Sequence, residues 1–428
     1  MNMIPQFLIA APSSASGKTT IARGLMALYT HKGLHVQPCK CGPDYIDTKY
    51  HAMVCGRPSV NLDSFMASKS HIQEIYARYA DHADLTITEG MMGLYDGYDR
   101  DLGSSAEIAR ILHLPVILVV NARSSAYSIA PLIQGFVNFR KDVEIAGVIF
   151  NQVGSQRHFN MLKQACDDID VRCFGYLPKQ SEWEVSSRYL GLDFNTDSKS
   201  QQLIEQLDKT VDWRGLLELK HPLAAPSPVT SQRDGGHILV ARNADSFSFI
   251  YQEHIDILRT LGTVDFFDPE ENFSLPDDTS LLYLPGGYPE QHTEALMKAE
   301  TTRKSIREYA QRGGKVLAEC GGMMYLCKEI LTDEGCWEMC GVLPYSITAR
   351  KSDRKLSLGY RQMEWNHQNL RGHEFHYTQF CNEVPASMTQ VYNAAGTPVT
   401  TPVFREGNVI ASYTHLYWGE TDPLKLFL

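Results

Sequence analysis

The residues best placed to do chemistry form two groups, a lysine and threonine closing a Ser/Gly-rich turn near the start and a cysteine between an acid and two glycines far downstream. The first group reads Ala11-Pro-Ser-Ser-Ala-Ser16-Gly17-Lys18-Thr19-Thr20. It follows an apolar run and opens helix-forming text at 21–29, the setting in which a loop and a helix N-terminus wrap phosphates with backbone N–H groups. Ser16, Gly17, Lys18, Thr19 and Thr20 are therefore the expected ATP-binding residues, with Lys18 neutralising the outer phosphates and the Thr19 hydroxyl offered to Mg²⁺. Pro12 stands where the first glycine of G-x-x-x-x-G-K-[ST] belongs, but the Ser-Gly-Lys-Thr end is intact. Further on, Leu85-Thr-Ile-Thr-Glu89-Gly90 sets an acid at the end of a β-branched run, where the carboxyl end of a parallel sheet meets its ligand. Glu89 is expected to hold or orient the metal. Asp96, in the Gly-bounded loop Met91-Met-Gly-Leu-Tyr-Asp96-Gly97, is expected to make a second contact to metal or substrate.

The second group is Gly314-Lys-Val-Leu-Ala-Glu-Cys320-Gly-Gly-Met-Met-Tyr-Leu326, an apolar strand that breaks into small residues and resumes as a helix. This is the pattern of a nucleophile elbow with cysteine in the serine's place. The helix behind Cys320 is expected to lower the thiol pKa, and the Gly321 N–H to stabilise an oxyanion. Gly287, in Leu284-Pro-Gly286-Gly287-Tyr-Pro, is the expected second oxyanion donor, since paired glycines at a strand end let backbone approach a ligand closely. His415, just after the predicted last strand, is the expected base for Cys320. Cys336-x-x-x-Cys340 with His373-x-x-His376 has too short a His spacing and too long a gap to read as a zinc site.

The elements needed to position these groups are legible as well. Buried parallel strands are predicted at 6–11, 85–88, 115–121 and 145–150, alternating with helical text, and a new α/β series at 238–241, 281–284 and 316–318. The expectation is a P-loop NTPase-type, mostly parallel α/β domain over 1–220, a Pro/Ser/Gly-rich linker over 221–236, and a second α/β domain over 237–428. At 428 residues the chain exceeds one ordinary core, and 43% apolar with 21% charged residues is the composition of a globular protein. The net charge of −10 is spread without blocks, which argues against a nucleic-acid partner. No stretch reads as a signal peptide or membrane span, and ten irregularly spaced cysteines suit a reducing compartment, so a cytoplasmic location without membrane partners is expected.

Together these motifs resemble the cobyrinic acid a,c-diamide synthase family, in which a dethiobiotin-synthetase-like ATPase domain is fused to a flavodoxin-like class I glutamine amidotransferase domain. The resemblance runs over nearly the whole chain and is carried most specifically by Cys41-Gly-Pro-Asp44-Tyr45-Ile46-Asp47-Thr-Lys-Tyr-His51 and by Glu89-Gly-Met-Met-Gly-Leu-Tyr-Asp96-Gly. Gly147-Val-Ile-Phe-Asn151, Ala241-Arg-Asn243, the Pro-Gly-Gly-Tyr-Pro-Glu loop and Gly372-His-Glu-Phe-His-Tyr377 extend it. It implies that Asp44, Tyr45, Ile46 and Asp96 meet a corrinoid substrate, that Asp44 joins Thr19 and Glu89 at the metal, and that Asn151 recognises adenine. An amide suits adenine, whose edge both donates and accepts. The sequence departs from the family pattern at Ala15, where a glycine is common, and at Tyr417, where many class I amidotransferases carry the carboxylate that orients the histidine.

The implied chemistry is a glutamine-dependent ligase reaction that requires ATP and Mg²⁺. ATP converts a carboxylate to an acyl phosphate, Cys320 releases ammonia from glutamine, and ammonia displaces phosphate. Because ammonia in neutral water is mostly ammonium, an enclosed path between the domains is expected. The resemblance implies amidation of the a and c carboxylates of cobyrinic acid in cobalamin biosynthesis, with hydrogenobyrinic acid or a nickel sirohydrochlorin as alternative substrates. A ParA/MinD-like ATPase switch with a vestigial second domain, and a free-standing glutaminase, are more distant readings. Assembly as a homodimer is left open.

Overall fold

The computed structural model describes residues 2–179, 198–225, 236–381 and 383–428. The chain divides into two compact units, Met1–Pro228 and Val229–Leu428.

The first unit alternates strand and helix: β1 (Asn2–Ala10), α1 (Lys18–His31), β2 (Val36–Cys41), α2 (Ile46–Cys55), β3 (Val60–Leu62), α3 (Lys69–Ala80), β4 (Leu85–Glu89) and α4 (Ser105–Leu112). It continues through β5 (Val116–Asn121), α5 (Ile129–Phe139), β6 (Ile145–Val153), α6 (Gln156–Asp167), β7 (Cys173–Pro178), α7 (Ser198–Thr210), α8 (Trp213–Leu216) and β8 (Lys220–Leu223). The sheet runs β3-β2-β4-β1-β5-β6-β7. The central strands are apolar without alternation, as burial on both faces requires: Phe7, Leu8 and Ile9 are inaccessible, as are Leu85, Ile87 and 116–119. In this register Ile9 lies beside Glu89, and Glu89 beside Lys40. The carboxyl ends of β1, β4 and β2 therefore form one edge. Residues 226–235 of the expected linker lie outside the described residues, whereas His221–Leu223, also expected as linker, lie in β8 and pair antiparallel with the first half of β1.

The second unit opens with β9 (His237–Ala241), α9 (Gln252–Leu261), β10 (Thr263–Phe267), β11 (Thr279–Leu284), α10 (Thr293–Lys298), α11 (Glu300–Gln311), β12 (Val316–Glu319) and α12 (Gly321–Leu326). Short strands follow: β13 (Glu329–Leu331), β14 (Cys336–Glu338) and β15 (Ser346–Thr348). The unit closes with β16 (Ser357–Trp365), β17 (Gln368–His376), β18 (Gln379–Phe380), β19 (Val391–Asn393), β20 (Pro398–Val399), β21 (Val403–Glu406), β22 (Val409–Ser412) and β23 (His415–Tyr417). The main sheet, β10-β9-β11-β12-β22-β21, is parallel except at its β21 edge. An additional antiparallel sheet, β20-β19-β16-β17-β23, carries His415, and the sequence patterning gave no sign of it. Apolar side chains of β9, β11 and β12 pack against α12 on one face and against Leu258, Leu416 and Trp418 on the other.

Candidate active site

The phosphate loop occupies the turn from β1 to α1. Gly17 sits at φ 95°, and a Cβ there would lie 2.0 Å from Asn151 Nδ2, so only glycine fits. Ala15 adopts φ 59°, a left-handed conformation that its side chain makes costly; this is the physical price of the departure from glycine noted above. Asn151 is buried, donating to the Ser16 carbonyl at 3.0 Å while its Oδ1 accepts from the Gln152 N–H at 2.9 Å. These bonds brace the loop from the end of β6. Ser16 turns its hydroxyl inward to the Ser13 carbonyl at 2.9 Å, and Thr20, half-buried, lies in the first turn of α1.

Beside the loop, Glu89 is wholly buried at the end of β4. Its Oε1 accepts from the Thr19 hydroxyl at 2.5 Å and faces the Lys40 ammonium at 3.2 Å, and its Oε2 meets His51 Nε2 at 2.7 Å. Burial alone would raise this carboxyl, but Lys40, His51 and Thr19 outweigh it and hold Glu89 well below the usual carboxylate range. Lys40 shows the converse: burial opposes its charge, yet Glu89 and Asp47 push its pKa up. Asp47 links Lys40 at 2.7 Å to Arg23 at 2.5 Å, and the Arg23 guanidinium lies 4.1 Å from the centre of the Tyr50 ring. Four charges of alternating sign thus run from α1 to the end of β4. Lys18 is buried, with Nζ donating to the Met92 carbonyl at 2.5 Å; burial and the neighbouring Lys40 ammonium lower its pKa.

The structure brings Thr19 and Glu89 together, and Asp44 lies just before α2. Its Oδ1 accepts the N–H groups of Ile46 and Asp47, both at 2.8 Å, and so fixes the start of α2. Burial raises the Asp44 carboxyl against the pull of Lys40. Tyr45 is buried and Ile46 half-buried at the same turn. Asp96 accepts the Gly93 N–H at 2.8 Å, holding the loop whose Leu94 N–H reaches the Ala11 carbonyl, also at 2.8 Å. Lys40, Asp47 and His51 are site residues that motif reading did not single out. Lys40 directly precedes the Cys41-Gly-Pro-Asp44 signature and the other two lie within it, so the signal was adjacency.

In the second unit Cys320 turns sharply between β12 and α12, at φ 48° and ψ −108°, the strained backbone of an elbow. Gly322 permits the turn, because a Cβ there would lie 2.0 Å from the Leu284 carbonyl oxygen. A Cβ on Gly321 would lie 3.0 Å from the Gly287 nitrogen, so the two residues expected to donate to an oxyanion adjoin. Gly287 itself sits at φ 158° against the Ser246 carbonyl, where no side chain fits. His415 is held by the adjoining strands: the Cys320 N–H donates to the Ser412 carbonyl at 2.7 Å, and a Cβ on Gly286 would lie 2.2 Å from His415 Cε1.

One expectation is overturned here. Burial, with Glu290 adding, pushes the Cys320 thiol up, and α12 has only six residues to oppose it. Burial drives His415 well below the usual imidazole range, with His373 and His376 adding to it. The His373 ring stacks on His415 at 5.0 Å, and burial holds it neutral, at about 3. Cys320 and His415 are therefore both neutral. Glu290 is pushed up to about 7 by burial. Nearby, Glu374 accepts from Arg361 at 2.5 Å and meets His376 at 2.7 Å; burial would raise it, but these partners hold it at about 2. Tyr417 turns its hydroxyl to Glu253 Oε2 at 2.5 Å.

Residues 7–190 match a profile described as a CobQ/CobB/MinD/ParA nucleotide binding domain, and residues 237–423 one described as a CobB/CobQ-like glutamine amidotransferase domain. The chain is 36% identical to the cobyrinate a,c-diamide synthase of Caldanaerobacter subterraneus subsp. tengcongensis, over 99% of this chain and 97% of that one. It belongs to the a,c-diamide synthase family. Other members are the hydrogenobyrinate a,c-diamide synthase of Brucella anthropi, 38% identical over 96% of this chain and 98% of its own, and the cobyrinate a,c-diamide synthase of Priestia megaterium, 35% identical over 98% and 95%. The family's two parts correspond to the two sites: a P-loop-type α/β domain that binds nucleotide, then a glutamine amidotransferase domain. Among the described residues no helix is long and apolar enough to cross a membrane.

Proposed function

We propose that this chain uses ATP and glutamine to convert the a and c side-chain carboxylates of a corrinic acid to amides, with cobyrinic acid as substrate. The observation that carries this reading is near-full-length similarity to a,c-diamide synthases in a chain that also holds a phosphate loop and a cysteine elbow. Hydrogenobyrinic acid is the second reading, favoured by a relative of that name at 38% identity.

At the first site the substrate carboxylate attacks the γ-phosphorus of ATP, ADP leaves, and an acyl phosphate forms. Lys18 and the loop N–H groups bind the phosphates; Asp44, Tyr45, Ile46 and Asp96 border the region assigned to the substrate. Thr19 and Glu89 are converging hard-oxygen donors and fit Mg²⁺, which when bound neutralises phosphate charge. Asp44, with one oxygen tied to α2, is a weaker candidate for the metal. Lys40 is oriented by Asp47 and Glu89 towards the same edge.

At the second site Cys320 attacks the glutamine side-chain carbonyl. Because thiol and imidazole are both neutral at rest, the thiol proton passes to His415 as the carbon–sulfur bond forms. Gly287 and Gly321 N–H groups receive the oxyanion, His415 returns the proton to the departing ammonia, and water cleaves the thioester to glutamate. Ammonia then attacks the acyl phosphate and phosphate leaves. All ten cysteines are free, which supports a cytoplasmic setting.

The test is the product mass after incubation with cobyrinic or hydrogenobyrinic acid, ATP, Mg²⁺ and glutamine. Two equal carboxyl-to-amide increments are expected; an unchanged mass for both tetrapyrroles refutes the reading.

A further inference from the structure

The residue before the nucleophile is an acid buried without a cation. Glu319 ends β12, is 2% exposed, and among the described residues makes no ion pair. Removing a carboxyl from water costs several kcal/mol unless it is compensated. Its compensation comes from neutral donors: Oε2 accepts from the Tyr283 hydroxyl at 2.8 Å and Oε1 from the Leu416 N–H at 3.1 Å. Burial still pushes the group up to about 8. An alanine or leucine would occupy a strand end of this kind more cheaply, so the acid requires a reason.

The reason lies in what its two ends join. Glu319 is covalently next to Cys320, and Leu416 is covalently next to His415. Leu416 is itself buried, so without Glu319 its N–H would lose the acceptor found here. β22 pairs with β12 up to Ser412, and after Tyr413 and Thr414 the chain leaves that sheet as β23 on β17; the Glu319 bond to Leu416 ties this departing strand back to β12 beyond the ladder. The side chain at 417, where many class I amidotransferases carry an orienting carboxylate, is a tyrosine bonded to Glu253 on α9. From this geometry we infer that Glu319 is the positioning residue of the glutaminase site. It holds the backbone beside His415 at a fixed distance from Cys320, doing through the main chain what a carboxylate on the imidazole does elsewhere.

This inference rests on the glutaminase reading of Cys320 and His415. The test follows glutamate release, with cobyrinic or hydrogenobyrinic acid, ATP and Mg²⁺ present, and ammonium-driven amidation in parallel. Glu319→Leu is expected to lower kcat for glutamate release by about 10²-fold. The KM for glutamine should stay within about two-fold and the ammonium-driven rate should be unchanged. Glu319→Gln keeps an oxygen for the Leu416 N–H and is expected to recover to within about five-fold of the parent. Tyr283→Phe, which frees only the other oxygen, is expected to lower the same kcat by about three-fold, and it serves the test even if Glu319→Leu does not fold. Wild-type kcat in Glu319→Leu or Tyr283→Phe, a glutamine variant as impaired as the leucine variant, or an equal fall of the ammonium-driven rate overturns the inference. Cys320→Ala in the same assay separates the two ideas: glutamate release that survives it refutes the glutaminase reading itself.

Discussion

The phosphate-loop site and the cysteine site both lie at carboxyl ends of parallel strands, yet they solve burial in opposite ways. At the first, charge is answered by charge: Glu89 is held ionised by Lys40 and His51, and Lys40 in turn by Asp47. At the second, burial removes charge from the reacting pair itself, leaving Cys320 and His415 neutral although the Glu374–Arg361 ion pair is buried nearby. The difference matches the chemistry proposed for each. A site that handles phosphate and metal needs fixed charges whose partners exchange when ligands arrive. A site that moves one proton between sulfur and nitrogen needs two groups that can pass it without a prior ion pair.

The contrast can be broken at either site. Glu89→Gln removes one of the two carboxylates paired with buried Lys40 and leaves Asp47. The expected outcome is loss of amide formation from both nitrogen sources, with a stability loss smaller than the roughly 3–5 kcal/mol of a wholly unpaired buried charge, read by denaturant unfolding. Full activity in this variant would remove Glu89 from the metal and phosphate region. Lys18→Ala is expected to lower amidation from glutamine and ammonium alike by about 10²–10³, the range of a lost electrostatic stabiliser. If only the glutamine-driven rate fell, the loop would not serve phosphoryl transfer.

At the neutral site, Gly286→Ala places a carbon where His415 Cε1 now lies, 2.2 Å away. Glutamate release should fall by about 10²-fold while ammonium-driven amidation persists. The smallest effect is a pH dependence of stability. Glu374 is lowered from its ordinary 4.5 to about 2, so its stabilising contribution is present above pH 4.5 and is lost as pH falls towards 2. The melting-temperature gap between the parent and Glu374→Gln should therefore close across that window; a constant gap would mean that the Arg361 and His376 bonds do not depend on its charge.

Local text carried much of this arrangement. The Ser-Gly-Lys-Thr turn, the Glu89 strand end and the Glu-Cys-Gly-Gly elbow each show strand, turn and helix within a few residues, and the structure places a loop, an edge acid and a strained cysteine there. What escaped the sequence depends on register and burial. Lys40 meets Glu89 because β2 and β4 pair with those residues abreast, a fact of strand order that no local pattern contains. His373 meets His415 across the β17–β23 pairing in an antiparallel sheet whose strand β17, Gln368–His376, shows little apolar alternation. The expected lowering of the Cys320 thiol considered the helix dipole and omitted desolvation, which is larger here. Beside the adenine contact that the resemblance implies for Asn151, the crowding of Gly17 by its amide shows a bracing role that only packing reveals.

The most direct test of the two-site account is the amide yield of Cys320→Ala, measured by product mass with glutamine and then with an ammonium salt as the nitrogen source. The account predicts no amide from glutamine and an undiminished yield from ammonium. Amide from glutamine at the parent rate, or loss of both activities in a folded variant, would contradict it.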